Sequence, residues 1–416
     1  MPSTCRPKIG GGDHPSMPKM APKGVAKVAV APQNVNEIPV GGESGTGSEW
    51  RFSRTSAGAW RGGRVPAVST PTAVLGAGSF GTCLAMLCAR AHDVKIWSRR
   101  QDVAEAINRD HRNPRYLTEF VLSERIEATS DLRDALAGRE LVIIAVPSHS
   151  LRDVMREAGP YIEPGAIVVS AVKGIEFETG LTMNGVLEDV LDEELHPRLI
   201  ALSGPSFAAE IARHQPTVVT LACREEAYAI SVQATLSCPW FRCYTHTDVI
   251  GVETAGALKN VIAIAVGMSD GNDSGLNARA ALMTRGLAEI TRIGVAQGAE
   301  PETFLGLAGM GDLLLTCTGD LSRNRRVGIA LGQGRKIEQI QAELGEVAEG
   351  IATTRAAVRL AERLGVAAPI TGLVRAVIDG ERTPIEAGHS LMTRQLGSER
   401  GRRSKHDPVK REQDRK

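Results

Sequence analysis

None of the seven cysteines (Cys5, Cys83, Cys88, Cys223, Cys238, Cys243 and Cys317) stands in a CxxC pair. Their irregular intervals suit neither a disulfide framework nor a zinc site, so reduced, buried thiols are expected. No His/Cys/carboxylate cluster has ligand spacing either, and no metal is expected. The chain lacks an apolar run of about 18 residues and lacks an apolar secretory stretch at its start, which argues against membrane insertion and export. A cytoplasmic protein is the expectation. Excess charge is also missing: 49 Lys and Arg stand against 48 Asp and Glu, a net +1. Nucleic acid is thereby disfavoured as a partner, because tracking phosphates takes a strong basic excess.

Residues 1–70 lack hydrophobic periodicity and are rich in Gly, Pro and Ser. Such a stretch cannot bury enough apolar surface to offset its ordering entropy, so a disordered extension is expected. A transit peptide has only the basic excess of this segment in its favour, and an untranslated stretch is a third reading. Residues 397–416 are basic on balance and unpatterned, which reads as a solvated, disordered tail.

What is present is an alternation. At 416 residues there is room for two or three domains. From Pro71 to about Tyr244 short β-branched runs alternate with helical stretches, the signature of βαβ units and a sheet covered on both faces. Strands are predicted at 73–76, 94–98, 125–128, 141–147, 166–171, 199–203, 217–222 and 241–245. After Asp248 the strand pattern gives way to Ala, Leu, Glu and Arg at helical spacing as far as about Leu396. The fold class is therefore α/β: a Rossmann-type, mostly parallel sheet domain over 71–248, then an all-helical domain over 249–396.

The run Thr72-Ala-Val-Leu-Gly76-Ala-Gly78-Ser79-Phe80-Gly81-Thr82 reads as a strand breaking into a helix across three glycines. Gly76 allows the tight turn, Gly78 lets backbone approach a pyrophosphate, and Gly81 lets helix pack on strand. The anion would sit at the helix N-terminus. About 20 residues on, where NAD-specific folds place an acid, stands Arg99. A guanidinium there suits a 2′-phosphate, although an ordinary surface arginine is the alternative. Val146-Pro147-Ser148, Val172-Lys173-Gly174 and Gly204-Pro205-Ser206-Phe207-Ala208 each follow a strand, where open α/β sheets bind ligands. Lys173 would meet cofactor or anionic substrate, or be a flexible loop lysine. Ser206 is expected to cap a helix.

In the helical half, Val252, Ala255, Lys259, Ile262 or Ala263 and Val266 share one helical stripe, which puts the Lys259 ammonium on an apolar face. Desolvation would lower its pKa towards that of a group able to trade a proton with a carbonyl oxygen; a snorkelling surface lysine is the alternative. Gly309-Met310-Gly311-Asp312 and Ser322-Arg323-Asn324-Arg325-Arg326 add an acid and a basic cluster able to grip a phosphate, or else a solvated helix face. Glu349 reads as an acid in a glycine-flanked loop.

In this order GAGSFGT, VPS, VKG, SGPSFA, ALKNVIAI, GLAGMGDLLLTC and SRNRR resemble the NAD(P)-dependent sn-glycerol-3-phosphate dehydrogenase family of the bacterial type, over about Ser69 to Leu396. The resemblance implies reversible reduction of dihydroxyacetone phosphate with NADP(H) or NAD(H), feeding glycerophospholipid synthesis. It implies cofactor contacts at Ser79, Phe80, Arg99, Lys173, Ala208, Arg323, Val347 and Glu349, beside Gly76, Gly78 and Gly81. Substrate contacts would be Lys173, Gly204, Ser206, Asn260, Asp312, Ser322, Arg323 and Asn324, with Lys259 both touching substrate and catalysing. The family's turn often carries an indole or phenol where this chain has Phe80, and the N-terminal extension has no family counterpart. A homodimer through the helical domain is expected by analogy. The rivals are a 3-hydroxyacid or 6-phosphogluconate type dehydrogenase, and a regulatory protein that binds the nucleotide without chemistry.

Overall fold

The computed structural model describes residues 70–344, 348–396 and Glu399. The expectations for residues 1–69, for nearly all of the 397–416 tail and for Val347 fall outside the described residues. Eight strands form one sheet: β1 (Thr72–Leu75), β2 (Val94–Trp97), β3 (Ile126–Thr129), β4 (Leu141–Ile144), β5 (Ile167–Ser170), β6 (Leu199–Ser203), β7 (Thr217–Ala222) and β8 (Phe241–His246). Each lies within its predicted run or within a residue of it. Seven helices join them: α1 (Ser79–Cys88), α2 (Gln101–Asp110), α3 (Leu132–Leu136), α4 (Leu151–Ala158), α5 (Met183–Val190), α6 (Ala208–Ala212) and α7 (Glu226–Leu236).

The spatial order is β3-β2-β1-β4-β5-β6-β7-β8. Strand order therefore reverses between β1 and β4, which opens a crevice at their carboxyl ends. Side chains alternate between two cores, as a sheet covered on both faces requires. Val74, Ile96, Ile143 and Val169 enter one core, whereas Leu75, Trp97, Ile144 and Val168 enter the other. The central strands are apolar throughout because both faces are covered; β1 and β4 are buried at every position.

One strand departs from the parallel βαβ reading: β7 pairs antiparallel with β6. The connecting helix α6 has five residues, a rise of about 7.5 Å. That is too short to carry the chain back to the opening edge of a strand like β6, so β7 starts near where β6 ends.

Eight further helices follow Asp248: α8 (Val249–Gly271), α9 (Leu276–Ala296), α10 (Asp312–Thr318), α11 (Arg323–Gly332), α12 (Ile337–Leu344), α13 (Glu349–Arg363), α14 (Pro369–Ile378) and α15 (Pro384–Met392). Asp248 caps α8, its carboxylate accepting the Gly251 N–H at 2.8 Å. The sequence stripe understated α8, because the helix is buried on every side from Gly251 to Met268. A helix apolar all round is a core helix. Among the described residues α8 alone is long and apolar enough to span a bilayer, and 94% of its most apolar window is buried inside the protein.

Four glycines bring α8 and α11 to backbone contact. A Cβ at Gly267 would lie 2.2 Å from the Arg325 carbonyl oxygen, and one at Gly328 would lie 2.2 Å from that of Ile264. Gly271 and Gly332 repeat the arrangement one turn further on, at 2.3 Å from Ile329 O and 2.4 Å from Met268 O. Two Gly-xxx-Gly stripes thus lock α11 onto α8 and fix where the start of α11 lies.

Candidate active site

The glycine turn lies over the crevice at the carboxyl end of β1. Gly76 has φ +116°, a backbone region that disfavours side chains, and a Cβ there would sit 2.7 Å from Ala145 O. At Gly81 a Cβ would fall 1.8 Å from Gly76 O, so α1 can pack this closely only on glycine. A Cβ at Gly78 would meet nothing within 4 Å, and no side chain caps α1. An open cradle of unpaired N–H groups at a helix start fits the pyrophosphate of a dinucleotide. Ser79 and Phe80 open α1, and Phe80 packs partly buried against the adjoining core. Arg99 is exposed just beyond β2 and has no ion pair or hydrogen bond among the described residues.

Asn113 holds this turn in shape, and no sequence motif pointed to it. Its buried amide donates to Ala77 O and to Thr82 Oγ1, both at 2.9 Å, while its oxygen accepts the N–H groups of Arg115 and Tyr116. One side chain therefore ties the loop after α2 to the carbonyl between Gly76 and Gly78.

Three charged side chains meet between the two halves of the chain. Lys259, 7% exposed on α8, donates to Asp312 Oδ1 and Thr316 Oγ1, both at 2.7 Å. Lys173, from the loop after β5, donates to Asp312 Oδ2 at 2.6 Å and to Gly204 O at 3.3 Å. The approach depends on Gly256, where a Cβ would lie 2.6 Å from Ser203 Oγ and 3.7 Å from the Lys173 stem. Asp312 opens α10 directly after a π-helical turn over Leu307–Gly311. Gly309 makes that turn feasible, since its Cβ would lie 2.1 Å from Phe304 O.

Burial pushes the Lys259 pKa down to about 8, with Lys173 adding to the fall and Asp312 opposing it. Burial alone would raise the Asp312 carboxyl, but the two ammoniums overcome that and hold it below the ordinary carboxylate range. An ammonium has three N–H donors. Two of those on Lys259 are committed, which leaves one for a ligand oxygen. Thr316 is the second residue missed by sequence reasoning; its position one helical turn after Asp312 was the available signal.

Ser322, Arg323 and Asn324 form the start of α11. The buried Ser322 hydroxyl caps the helix, accepting the Arg325 N–H at 3.2 Å, while Asn324 Oδ1 accepts the Gly350 N–H at 3.0 Å. Arg323 is exposed there, and Asn260 is buried on α8 beside Lys259. Arg325 is occupied elsewhere, bound to Asp270 at 2.9 Å and Asp320 at 3.1 Å, so the basic run is not wholly a ligand surface.

Two expectations need correction. Ser206 caps no helix: Phe207 stands at the N-cap of α6, whose Ala208 is the first residue, and Ser206 Oγ turns back to donate to Gly204 O at 2.9 Å. Gly204, at φ +131°, turns the chain between β6 and that hydroxyl. Glu349 is not in a loop but begins α13, and its carboxylate accepts the Ser148 N–H at 3.0 Å across the crevice. Burial raises its pKa, against the pull of the Ser148 N–H and of Arg323.

Comparison with known proteins now decides the family. Residues 71–229 match the N-terminal model, and 248–389 the C-terminal model, of NAD-dependent glycerol-3-phosphate dehydrogenase. The chain belongs to the NAD-dependent glycerol-3-phosphate dehydrogenase family. It is 53% identical to glycerol-3-phosphate dehydrogenase [NAD(P)+] of Myxococcus xanthus over 327 residues, 78% of this chain and 98% of the relative. The Syntrophotalea carbinolica protein of the same name is 50% identical over the same shares. The crystal structure of glycerol-3-phosphate dehydrogenase from Coxiella burnetii superposes with a TM-score of 0.75 at 37% identity, covering 78% of this chain and 99% of that one. As a glycerol-3-phosphate dehydrogenase family member the chain is an NAD(P)-dependent oxidoreductase, and the fold with its glycine turn agrees with that. Among the described residues no group of three His, Cys, Asp or Glu is placed to hold a metal.

Within this family frame Asn113 gives a testable expectation. Asn113→Asp keeps both acceptors and loses both donors to the turn. The KM for NAD(P)H should rise about tenfold, the worth of one buried hydrogen bond, with kcat changed less than about twofold. An unchanged KM in initial-rate measurements would show that the turn holds its shape unaided.

Proposed function

We propose that this chain interconverts dihydroxyacetone phosphate and sn-glycerol 3-phosphate, with Lys259 as the acid that protonates the carbonyl oxygen. The observation that carries this reading is the Lys259–Asp312–Lys173 cluster, with one lysine donor left uncommitted. The 71–248 domain, through Gly76, Gly78, Ser79, Phe80, Gly81, Arg99 and Ala208, would hold the dinucleotide, with Glu349 and Arg323 reaching it from the 249–396 domain. The bound dinucleotide supplies the hydride in reduction and accepts it in oxidation. Lys173, Asn260, Asn324 and Arg323, with the α11 N-terminus, would clamp the substrate phosphate by charge-assisted hydrogen bonds. Gly204, Ser206 and Ser322 shape that wall.

In reduction, negative charge develops on the carbonyl oxygen, and a fixed ammonium in a dry site stabilises it strongly. Asp312 and Thr316 hold Lys259 Nζ in place, so its proton passes to the oxygen without reorganisation. In oxidation the neutral amine takes the proton back. Lys259 titrates at about 8 and is charged below that value. Reduction should therefore lose kcat as pH rises through about 8, and oxidation should gain it.

Initial rates with dihydroxyacetone phosphate, measured with NADPH and with NADH between pH 6 and 10, test this reading. The expected result is turnover with both, a higher kcat/KM for NADPH because Arg99 meets the 2′-phosphate, and the opposed pH limbs. Turnover with 3-oxo acids but not with the phosphotriose would overturn it. Cytoplasmic location, a homodimer through the helical domain and supply of glycerophospholipid synthesis complete the proposal and rest on family membership. Fractionation, sedimentation velocity, and glycerol dependence of growth after gene deletion test these in turn.

A further inference from the structure

Of the seven buried side-chain polar atoms with no hydrogen-bond partner among the described residues, three stand on α8 or on elements beside it: Glu253 Oε2, Asn184 Oδ1 and Ser203 Oγ. Glu253 is 7% exposed, Asn184 4% and Ser203 2%. Such groups almost always find a partner, and a polar crevice with two to four of them is where proteins hold water. Two contacts tie the three residues together along α8. Glu253 Oε1 accepts the Asn184 N–H at 2.8 Å, pinning the first turn of α5 to α8. Ser203 ends β6 and abuts Gly256, one turn along α8 from Glu253, where the Lys173 stem also passes. Lys173 leads on to Asp312 and Lys259.

The Glu253 end also has an outer side. Glu188 on α5 and Arg224 after β7 form an ion pair at 2.5 Å, with Arg224 largely exposed. Both face Glu253: burial raises its carboxyl to about 7, Glu188 adds to the rise, and Thr182, the Asn184 N–H and Arg224 oppose it. A carboxyl titrating near neutrality between a surface pair and a buried lysine cluster can both take and give a proton at working pH.

We propose that Glu253 is a proton-relay residue that recharges Lys259 through water held by Asn184 and Ser203 and through the Lys173–Asp312 pair. The balance closes over one reduction. Lys259 gives a proton to the substrate oxygen and becomes a neutral amine. Lys173 hands a proton to Asp312 and Asp312 hands a proton to Lys259, which is left as ammonium; the neutral Lys173 amine then takes the Glu253 carboxyl proton through the water held by Asn184 and Ser203, and the Glu253 carboxylate takes its next proton from solvent by the Glu188 side. No electrons move in the relay.

The inference rests on Lys259 acting as the acid, and its test separates the two. Glu253→Gln keeps the shape and the acceptor for Asn184 but cannot ionise. Reduction kcat should fall about tenfold at neutral pH, with unchanged KM, an enlarged solvent deuterium isotope effect and an altered pH profile. Ser203→Ala, a small change beside Gly256, should show the same signature more weakly. Native pH profiles and isotope effects in both variants would overturn the relay, as would a loss of rate in Glu253→Gln that leaves both unchanged. If Glu253→Gln does not fold, Ser203→Ala decides alone. Should Lys259→Ala keep its turnover, the acid assignment fails; should it lose turnover while both relay variants keep native profiles, only the relay fails.

Discussion

Lys259→Ala is expected to lower kcat for dihydroxyacetone phosphate reduction by about 10³–10⁴-fold while leaving the Kd for NADPH within about twofold. The loss combines two effects. The proton donor disappears, and so does the fixed positive charge facing the developing alkoxide. Binding of the dinucleotide survives because its cradle is the backbone turn at Gly76, Gly78 and Gly81, whereas the Lys259 side chain bonds Asp312 and Thr316. Folding survives as well, since Asp312 keeps its 2.6 Å partner Lys173 and is not left as an unpaired buried charge. Stopped-flow turnover with NADPH fluorescence titration reads both quantities. A variant within tenfold of native turnover would remove Lys259 from the mechanism.

Gly328→Val should cost about 4 kcal/mol or more of stability and lower Tm by more than about 10 °C. The reason is steric: the first side-chain atom would lie 2.2 Å from Ile264 O and 2.8 Å from Gly267 Cα. Backbone of a fully buried helix cannot swing aside as a flexible side chain would. Forcing α11 away from α8 also moves Ser322, Arg323 and Asn324, so activity should fall before the protein unfolds. Gly372→Ala is the control, because a Cβ there meets nothing within 4 Å and lies inside α14. It should be neutral or stabilising by up to about 1 kcal/mol. Differential scanning calorimetry of the pair checks the argument, and similar melting of both variants would defeat it.

Both predictions show where sequence reasoning stops. Lys259 could be singled out because a single lysine on an apolar stripe is a one-dimensional signal. Thr316 and Asn113 could not, although each makes hydrogen bonds as short as those of the residues found. Thr316 had only its place one turn after Asp312 to mark it and Asn113 had no motif, since the contacts with Lys259 and Ala77 that give them their roles lie at sequence separations of 57 and 36 residues. Gly267, Gly271, Gly328 and Gly332 were visible as two spaced pairs. That one pair would seat on the other depends on the path of the chain between them.

Local physics made the sheet readable. Four to six β-branched or apolar residues between turn formers specify a strand wherever it is later placed, and three glycines at a strand end specify a phosphate turn. Pairing direction is not local. The antiparallel seating of β7 and the all-round burial of α8 follow from which faces meet, and those are settled only when the chain is compact. The same holds for charge. Asp312, Lys173 and Lys259 are ordinary titrating side chains in the linear chain. Desolvation and mutual contact, which exist only in the fold, hold the first below its usual range and bring the last to about 8. The sequence by itself determined the elements, their order and the chemical groups on hand. Tertiary structure alone decided which groups lost their water and which found each other, because burial and long-range contact are properties of the packed chain.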